Sequence, residues 1–213
     1  MNYSLCRSST SQSGTAVRTL SAELRAQTSL LHRQIEVLLG LPGVICTPDD
    51  NARWLGRFLG FYAPLEHLFE EFQEWDSLGI RLSARGQSSC LANDLAALGA
   101  DPAGVMLAAP AQLPDLPNFA HALGALYVME GATLGGRLIL RDLAMRLGES
   151  IADATCFFGG RGERVGPMWQ SFRETLDNFG TENPQLGPDV VAGAERVFLA
   201  MLAWFAPFCV GRP

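Results

Sequence analysis

The sequence predicts a single all-α domain. Three observations support this fold class: apolar residues recur at helical spacing, capping and breaking residues separate the helical segments, and no segment alternates apolar and polar residues over the length of a strand. With 213 residues, 48% of them hydrophobic, the chain is long enough to bury a core. Residues 1–16, rich in Ser and Thr, are predicted to form a flexible tail before a helical domain over 17–207.

Gly, Pro and capping residues divide this domain into seven predicted helices. The first ends at Gly40-Leu41-Pro42-Gly43, and the second opens at Thr47-Pro48-Asp49-Asp50, a cap followed by proline and acids in the first turn. The predicted helices cover 18–40, 48–77, 87–99, a short stretch after Asp101-Pro102, 118–147, 167–179 and 188–206. The second helix is expected to bend at Pro64.

Charge and cysteine usage exclude several classes of protein. A net charge of −6 argues against nonspecific nucleic-acid binding. The longest uncharged apolar run, 197–210, is short for a membrane span, so no membrane insertion is expected. Five cysteines are scattered without a Cys-x-x-Cys pair, which argues against a disulfide scaffold or zinc knuckle and fits a reducing cytoplasm. These are Cys6, Cys46, Cys90, Cys156 and Cys209.

The first helix carries two neighbouring stripes. Leucines and an isoleucine form the core stripe, and beside it lie Arg25, Thr28, His32 and Glu36. Arg25 precedes His32 by two turns, roughly 10 Å along the helix, which would suit an imidazole that binds the iron of a macrocycle and a guanidinium that holds an acid group at its edge. Glu36 could orient the imidazole. By itself, however, such a histidine is more often an ordinary boundary residue.

The longest predicted helix contains four glycines, Gly124, Gly131, Gly135 and Gly136. Each costs about 1 kcal/mol relative to alanine in a helix interior, so a compensating use is expected. Three of them, at 124, 131 and 135, fall on one strip of the helix. Either a second helix crosses there, or a flat ligand lies against the bare backbone.

Three blocks of residues resemble heme oxygenases, particularly the bacterial ones found beside bacteriophytochromes, over about residues 18–206. The blocks are Leu24-Arg25-x-x-Thr28-x-x-Leu31-His32-x-x-x-Glu36, Leu126-Tyr127-Val128-x-Glu130-Gly131-x-x-Leu134-Gly135-Gly136, and Phe157-Phe158-Gly159-Gly160 through Gly166-Pro167-Met168-Trp169-x-x-Phe172. Each block alone is weak, and the three in this order form a specific pattern. The fold that the resemblance implies is a heme held between the first helix and a distal helix.

The resemblance also implies roles for individual residues. His32 would be the proximal iron ligand, Gly131, Gly135 and Gly136 would belong to the distal helix, and Thr28 and Ala132 would border the heme. Arg25 would pair with a heme propionate, with Arg173 and Tyr127 as further candidates. One position departs from the family: animal members carry Asp directly after the first distal glycine and many bacterial ones carry Ser, whereas this chain has Ala132.

The implied activity is oxidative cleavage of heme, both cofactor and substrate, to biliverdin, CO and iron. O2 and an external electron donor would be consumed, and the implied partners are a ferredoxin or NAD(P)H-dependent reductase and a biliverdin acceptor such as a phytochrome. The alternative is a non-catalytic heme-binding or heme-sensing protein of the same fold, which Ala132 favours. A di-iron carboxylate oxidase is disfavoured, because no Glu-x-x-His pair precedes any of the three histidines. A thiamine-degrading enzyme would need a nucleophilic cysteine, and no cysteine here has a recognisable partner.

Overall fold

A computed structural model describes residues 18–209, and within them the chain is all-α, as predicted. The predicted tail at 1–16 lies outside the described residues. Seven α-helices are joined by short 3-10 turns, and no strand occurs between residues 18 and 209. The helices are α1 Leu20–Leu39, α2 Pro48–Phe69, α3 Ser88–Ala97, α4 Phe119–Leu147, α5 Cys156–Gly159, α6 Val165–Glu182 and α7 Gly187–Cys209.

The ends of the first two helices follow the predicted local signals. Gly40 adopts φ 63° at the end of α1, and its N–H donates to the carbonyl of Glu36. Thr47 and Asp50 form a reciprocal capping box at the start of α2. The hydrogen bond from the Thr47 hydroxyl is the largest of the effects that lower the pKa of Asp50. Local chemistry therefore sets these boundaries.

The second helix ends earlier than the sequence predicts, at Phe69 instead of residue 77. The indole of Trp75 folds back, is buried, and donates to the carbonyl of Phe69 at 2.7 Å. This bond satisfies a carbonyl that the next turn of helix would otherwise have used. The same carbonyl also accepts the N–H of Phe72 at 3.2 Å, so the helix ends in a turn that the indole of Trp75 closes, while Pro64 lies inside the helix without ending it.

The core is built around α4 and α7, which pack against each other most extensively, and α1 packs against α7 beside them. By length and composition alone, the segments Phe119–Ile151 and Pro184–Cys209 could each cross a membrane. In the fold they contribute the centre of the core, with Leu123, Val197 and Phe205 fully buried. Packing within the domain therefore accounts for part of their apolar character, since 44% of each apolar window is buried.

Helices α3 and α5 are tied together at their facing ends. Cys90 and Cys156 form a disulfide across 66 positions of sequence, so the expectation from cysteine spacing was wrong for this pair. The buried carboxylate of Asp94 accepts the backbone N–H groups of Cys156 and Phe157 at 2.9 and 2.8 Å. The short helix α5, which the sequence analysis missed, is held in place by these contacts.

Candidate functional site

A cavity of about 950 Å³ opens between α1 and α4. Residues of α2, α6 and α7 complete its wall, together with Gln87 before α3 and two phenylalanines of α5. Its volume is at the upper end of the range for ligand pockets, and its lining is largely apolar. A large flat apolar molecule is the kind of ligand that such a cavity suits.

The predicted polar stripe of α1 forms one wall of this cavity: Arg25, Thr28, His32 and Glu36 all line it. The neighbouring stripe turns into the core, where Leu24 is fully buried. Burial of that apolar stripe fixes the rotation of the helix, so the adjacent stripe faces the cavity. Thr28 donates its hydroxyl proton to the carbonyl of Leu24 and thus presents its methyl group and oxygen to its surroundings.

His32 is the one histidine that lines the cavity, and its side chain is 55% exposed. Its Nδ1 lies 3.4 Å from Glu36 Oε2, one turn further along α1. The ring of Phe198 meets the imidazole edge-on at 6.0 Å between centroids. Nδ1 is thus the ring nitrogen beside a carboxylate, and Nε2 is the nitrogen that remains for a ligand.

The glycines of α4 divide between the two uses that the sequence left open. A Cβ at Gly124 would lie 1.8 Å from the backbone oxygen of Val190, so this glycine lets α7 cross. A Cβ at Gly135 would meet nothing within 4 Å, and Gly131 would meet only Trp169 at 3.7 Å. Gly131 and Gly135 line the cavity, as do Ala132 and Gly136. Helix crossing and a bare cavity wall therefore both occur, at different turns.

Gly136 lies against the backbone of α5. A Cβ at Gly136 would lie 2.5 Å from the carbonyl oxygen of Phe158, so the backbone of α5 approaches α4 here. The contact brings Phe157 and Phe158 into the cavity wall. The adjacent glycines thus have different tasks: Gly135 leaves space, and Gly136 admits a neighbouring backbone.

A basic cluster borders the cavity where Tyr127 lies. Burial is the main effect on the pKa of the Tyr127 phenol and raises it, whereas the charges of Arg25 and Arg173 act in the opposite direction. The two arginines come from different helices, α1 and α6, and both line the cavity together with Tyr127. Trp169 packs on the Tyr127 ring at 5.3 Å between centroids. Two cations and a phenol at one edge of an apolar cavity form a receptor for acid groups.

The wall formed by α2, α3 and α5 was not anticipated as a unit. It consists of Phe58, Tyr62, Gln87, Phe157 and Phe158. The last two belong to a block that carried the family resemblance, but Tyr62 and Gln87 gave no sequence signal because their spacing matches no motif. Burial raises the pKa of the Tyr62 phenol well above its ordinary value, so this hydroxyl stays protonated.

Behind the glycine segment lies a buried ion cluster. Glu130, 2% exposed at its side chain, pairs with Arg85 at 2.8 Å and with Arg161 at 3.1 Å. The cluster joins the residue before Gly131 to the segments that precede α3 and α6. Removing one member would leave a buried charge uncompensated, so the position of α4 at this point is firmly specified.

The remaining histidines have ordinary environments. His67 is exposed and pairs with Glu70 at 3.0 Å, and the buried His121 contacts the side chain of Asn118 at 2.8 Å. Neither lines the cavity. Between residues 18 and 209, no group of three or more His, Cys, Asp or Glu side chains could hold a metal ion. A single imidazole is the ligand set expected for a heme iron, not for a di-iron site.

Comparison with known proteins identifies the family. The family model described as heme oxygenase matches residues 18–207. No curated protein matches the chain. Among solved structures, NO- and CO-bound heme oxygenase from Neisseria meningitidis has a TM-score of 0.69 at 19% identity, covering 88% of this chain and 92% of that one. Heme oxygenase from Leptospira interrogans has a TM-score of 0.63 at 20% identity, covering 89% and 99%. These two likenesses agree with the observed fold, and the match of the family model over nearly the whole chain shows that the protein belongs to the heme oxygenase family of heme-degrading enzymes.

Proposed function

We propose that this chain opens heme to biliverdin, CO and iron, with O2 and electrons from an external donor. The observation that carries the proposal is that the ring of His32 and the bare backbone at Gly135 line the same apolar cavity of about 950 Å³. Apart from Ala132, which lacks one polar group, no observation favours the non-catalytic alternative. When bound, heme supplies both the iron that activates O2 and the ring that is cleaved.

The residues present fit a heme. His32 would hold the heme iron through Nε2, and Glu36, beside Nδ1, would help to orient the imidazole ring. Thr28 lies one turn before His32 and would contact the same face of the macrocycle. A neutral imidazole donates less electron density than a thiolate, which is appropriate for chemistry at the ring itself.

The propionates would be held by the basic cluster. Arg25 and Arg173 flank the phenol of Tyr127, which stays protonated because burial raises its pKa. Charge-assisted hydrogen bonds from guanidinium groups are among the stronger polar interactions in proteins. With the acid groups fixed at this edge, the cluster would set the rotation of the macrocycle and hence which ring edge faces the interior.

On the other face, Gly131, Ala132, Gly135 and Gly136 would leave room for a small gas and restrict its tilt by backbone alone. Gly135 lines the cavity, and a Cβ there would meet nothing of the protein within 4 Å. The shape of this wall is supported from behind by the contact of Gly136 with the backbone of Phe158. These glycines act on the reaction by steric control.

Three further proposals concern surroundings and partners. Electrons would come from a ferredoxin or an NAD(P)H-dependent reductase, because the proposed reaction consumes electrons that heme and O2 do not supply. The product would pass to a biliverdin acceptor such as a phytochrome. The proposed location is the cytoplasm, although the Cys90–Cys156 disulfide is a bond that reducing compartments rarely keep.

A heme titration followed by reductant under air tests the function. The wild-type complex is expected to show a histidine-ligated Soret band, which ascorbate or a ferredoxin system converts to biliverdin absorption. His32→Ala should lose that spectrum, and added imidazole should restore it. His67→Ala is the matched control, since His67 is exposed and outside the cavity.

Two results would contradict the proposal. An unchanged heme spectrum in His32→Ala would remove His32 as the ligand. A Soret band that persists in the wild-type complex after reductant and air would instead leave heme binding intact and exclude turnover.

A further inference from the structure

Most hydroxyl groups of the cavity wall already donate to the protein. Each of the four serine and threonine side chains there gives its proton to an oxygen of its own neighbourhood at 2.7–3.0 Å. The pairs are Ser21 with Asp177, Thr28 with Leu24, Ser29 with Ala26 and Thr133 with Glu130. None of these hydroxyls is therefore a free donor toward a ligand.

Gln87 is different. The residue as a whole is 5% exposed and lines the cavity, and among residues 18–209 its hydrogen bonds are made by the backbone and not by the side-chain amide. An amide carries two donor hydrogens and an acceptor oxygen, and the amide of Gln87 is not among the fully buried polar atoms that lack a partner, so it is open to the cavity. Buried polar groups in folded proteins almost always have a partner, so this one is expected to bind water or a ligand.

The backbone of Gln87 is firmly held. Its N–H donates to Glu66 Oε1 at 2.5 Å, and the next N–H, of Ser88, donates to the same oxygen at 3.2 Å. The disulfide at Cys90 ties the following turn of α3 to α5. These hydrogen bonds are made by backbone groups, so the side chain of Gln87 is not needed to hold this segment and can bind a ligand in the cavity.

The location of Gln87 distinguishes it from the polar groups of α1. It belongs to the wall of α2, α3 and α5, with Tyr62 and Phe158. Through Phe158, that wall contacts α4 at Gly136. Gln87 therefore lies on the α4 side of the cavity, where Ala132 offers no polar side-chain atom.

We propose that Gln87 is a positioning residue whose amide hydrogen-bonds, directly or through one water, to the small ligand on the heme face opposite His32. It supplies the donor that Ala132 lacks. This inference rests on the proposed function, since it requires a heme bound through His32. Unlike a carboxylate, the amide does not titrate, so its hydrogen bond is present across the pH range in which the protein is folded.

The experiment compares Gln87→Leu and Gln87→Glu with wild type as ferrous heme–CO complexes. Leucine removes all hydrogen bonding, and an ionised glutamate keeps the shape and acceptor but loses the N–H donor. Gln185→Leu is the matched control, because Gln185 is exposed and outside the cavity. The readouts are the infrared C–O stretch and the CO dissociation rate, with the Soret band and the thermal midpoint of the apoprotein recorded for each variant.

Both Gln87 variants are expected to keep the histidine-ligated Soret band, to shift the C–O stretch to higher frequency, and to release CO about two- to tenfold faster, the factor that corresponds to one net hydrogen bond. Gln185→Leu should match wild type. If neither Gln87 variant changes the stretch or the CO dissociation rate, the inference is overturned while the proposed function stands. If the wild-type protein itself fails to form the histidine-ligated complex, the proposed function has failed first.

Discussion

Replacing single glycines of α4 by alanine should change stability in opposite directions at two positions. Gly124 and Gly135 both lie in the interior of the same helix, where alanine is favoured over glycine by about 1 kcal/mol. At Gly135 a Cβ meets nothing within 4 Å, so Gly135→Ala should gain most of this free energy. For a domain of this size, the thermal midpoint of the apoprotein should rise by about 2–4 °C.

At Gly124 the same methyl group would lie 1.8 Å from the oxygen and 2.8 Å from the carbon of the Val190 carbonyl. Both atoms are backbone of α7, so no rotamer change can relieve the overlap. The reciprocal glycine, Gly193, is equally close to the backbone of His121 at 2.0 Å, so the two helices cannot separate locally. Overpacking of this kind costs about 3 kcal/mol, and the net loss after the helix propensity gain is about 2 kcal/mol.

Thermal unfolding of the two apoproteins, followed by far-ultraviolet circular dichroism, measures the difference. Gly124→Ala should melt about 4–8 °C below wild type, and Gly135→Ala should melt above it. Gly135→Ala should be more stable than wild type as an apoprotein but should bind heme about fivefold more weakly. The reason is that the new methyl group occupies ligand space. Two results would refute the assignment of Gly124 to helix crossing and of Gly135 to the cavity wall. One is a Gly124→Ala apoprotein as stable as wild type, and the other is a Gly135→Ala apoprotein that melts about 4–8 °C below wild type.

Two further predictions concern the α3–α5 contact. Burial raises the pKa of Asp94 above the unfolded value of 3.8, so the folded protein binds this proton more tightly than the unfolded chain does. The free energy of unfolding should therefore fall as the pH rises from about 3.8 through the raised pKa of the folded state. In urea unfolding across that range, the stability advantage of wild type over Asp94→Asn should shrink with rising pH, and an advantage that grows would contradict the assigned direction. Opening the Cys90–Cys156 bond releases a loop of 66 positions, for which chain entropy gives about 4 kcal/mol, or a midpoint lower by about 8–16 °C. Reductant should lower the melting temperature of the oxidised wild-type protein to that of Cys90→Ser and leave the variant unchanged; equal midpoints for oxidised and reduced wild type would exclude this contribution.

The helices could be predicted where their signals are local. Apolar spacing located every helix longer than one turn, and the caps at Thr47 and Gly40 were readable because each involves residues within four positions. The predicted end of α2 was wrong because the helix stops at Phe69, whose carbonyl accepts a hydrogen bond from the indole of Trp75 in the following turn. The disulfide was missed because the packing of α3 on α5 brings its two cysteines together across 66 positions.

The candidate site divides in the same way. A single helix carries His32, Arg25, Thr28 and Glu36, so helical geometry places them on one face before any tertiary structure is known. The bare backbone of α4 was equally visible as four glycines in a helix. Gln87 and Tyr62 belong to different helices or turns and share a wall only through folding, so no spacing could have related them.

By itself the sequence determined the helical class, the imidazole-bearing stripe of α1 and the presence of a glycine strip, because each depends on periodicity within one segment. Only the tertiary structure decided what the glycines do: α7 lies against Gly124, while Gly135 faces open space about three turns further on. The physical reason is that a glycine only permits close approach, and whether a helix or a ligand makes use of it depends on where distant segments pack.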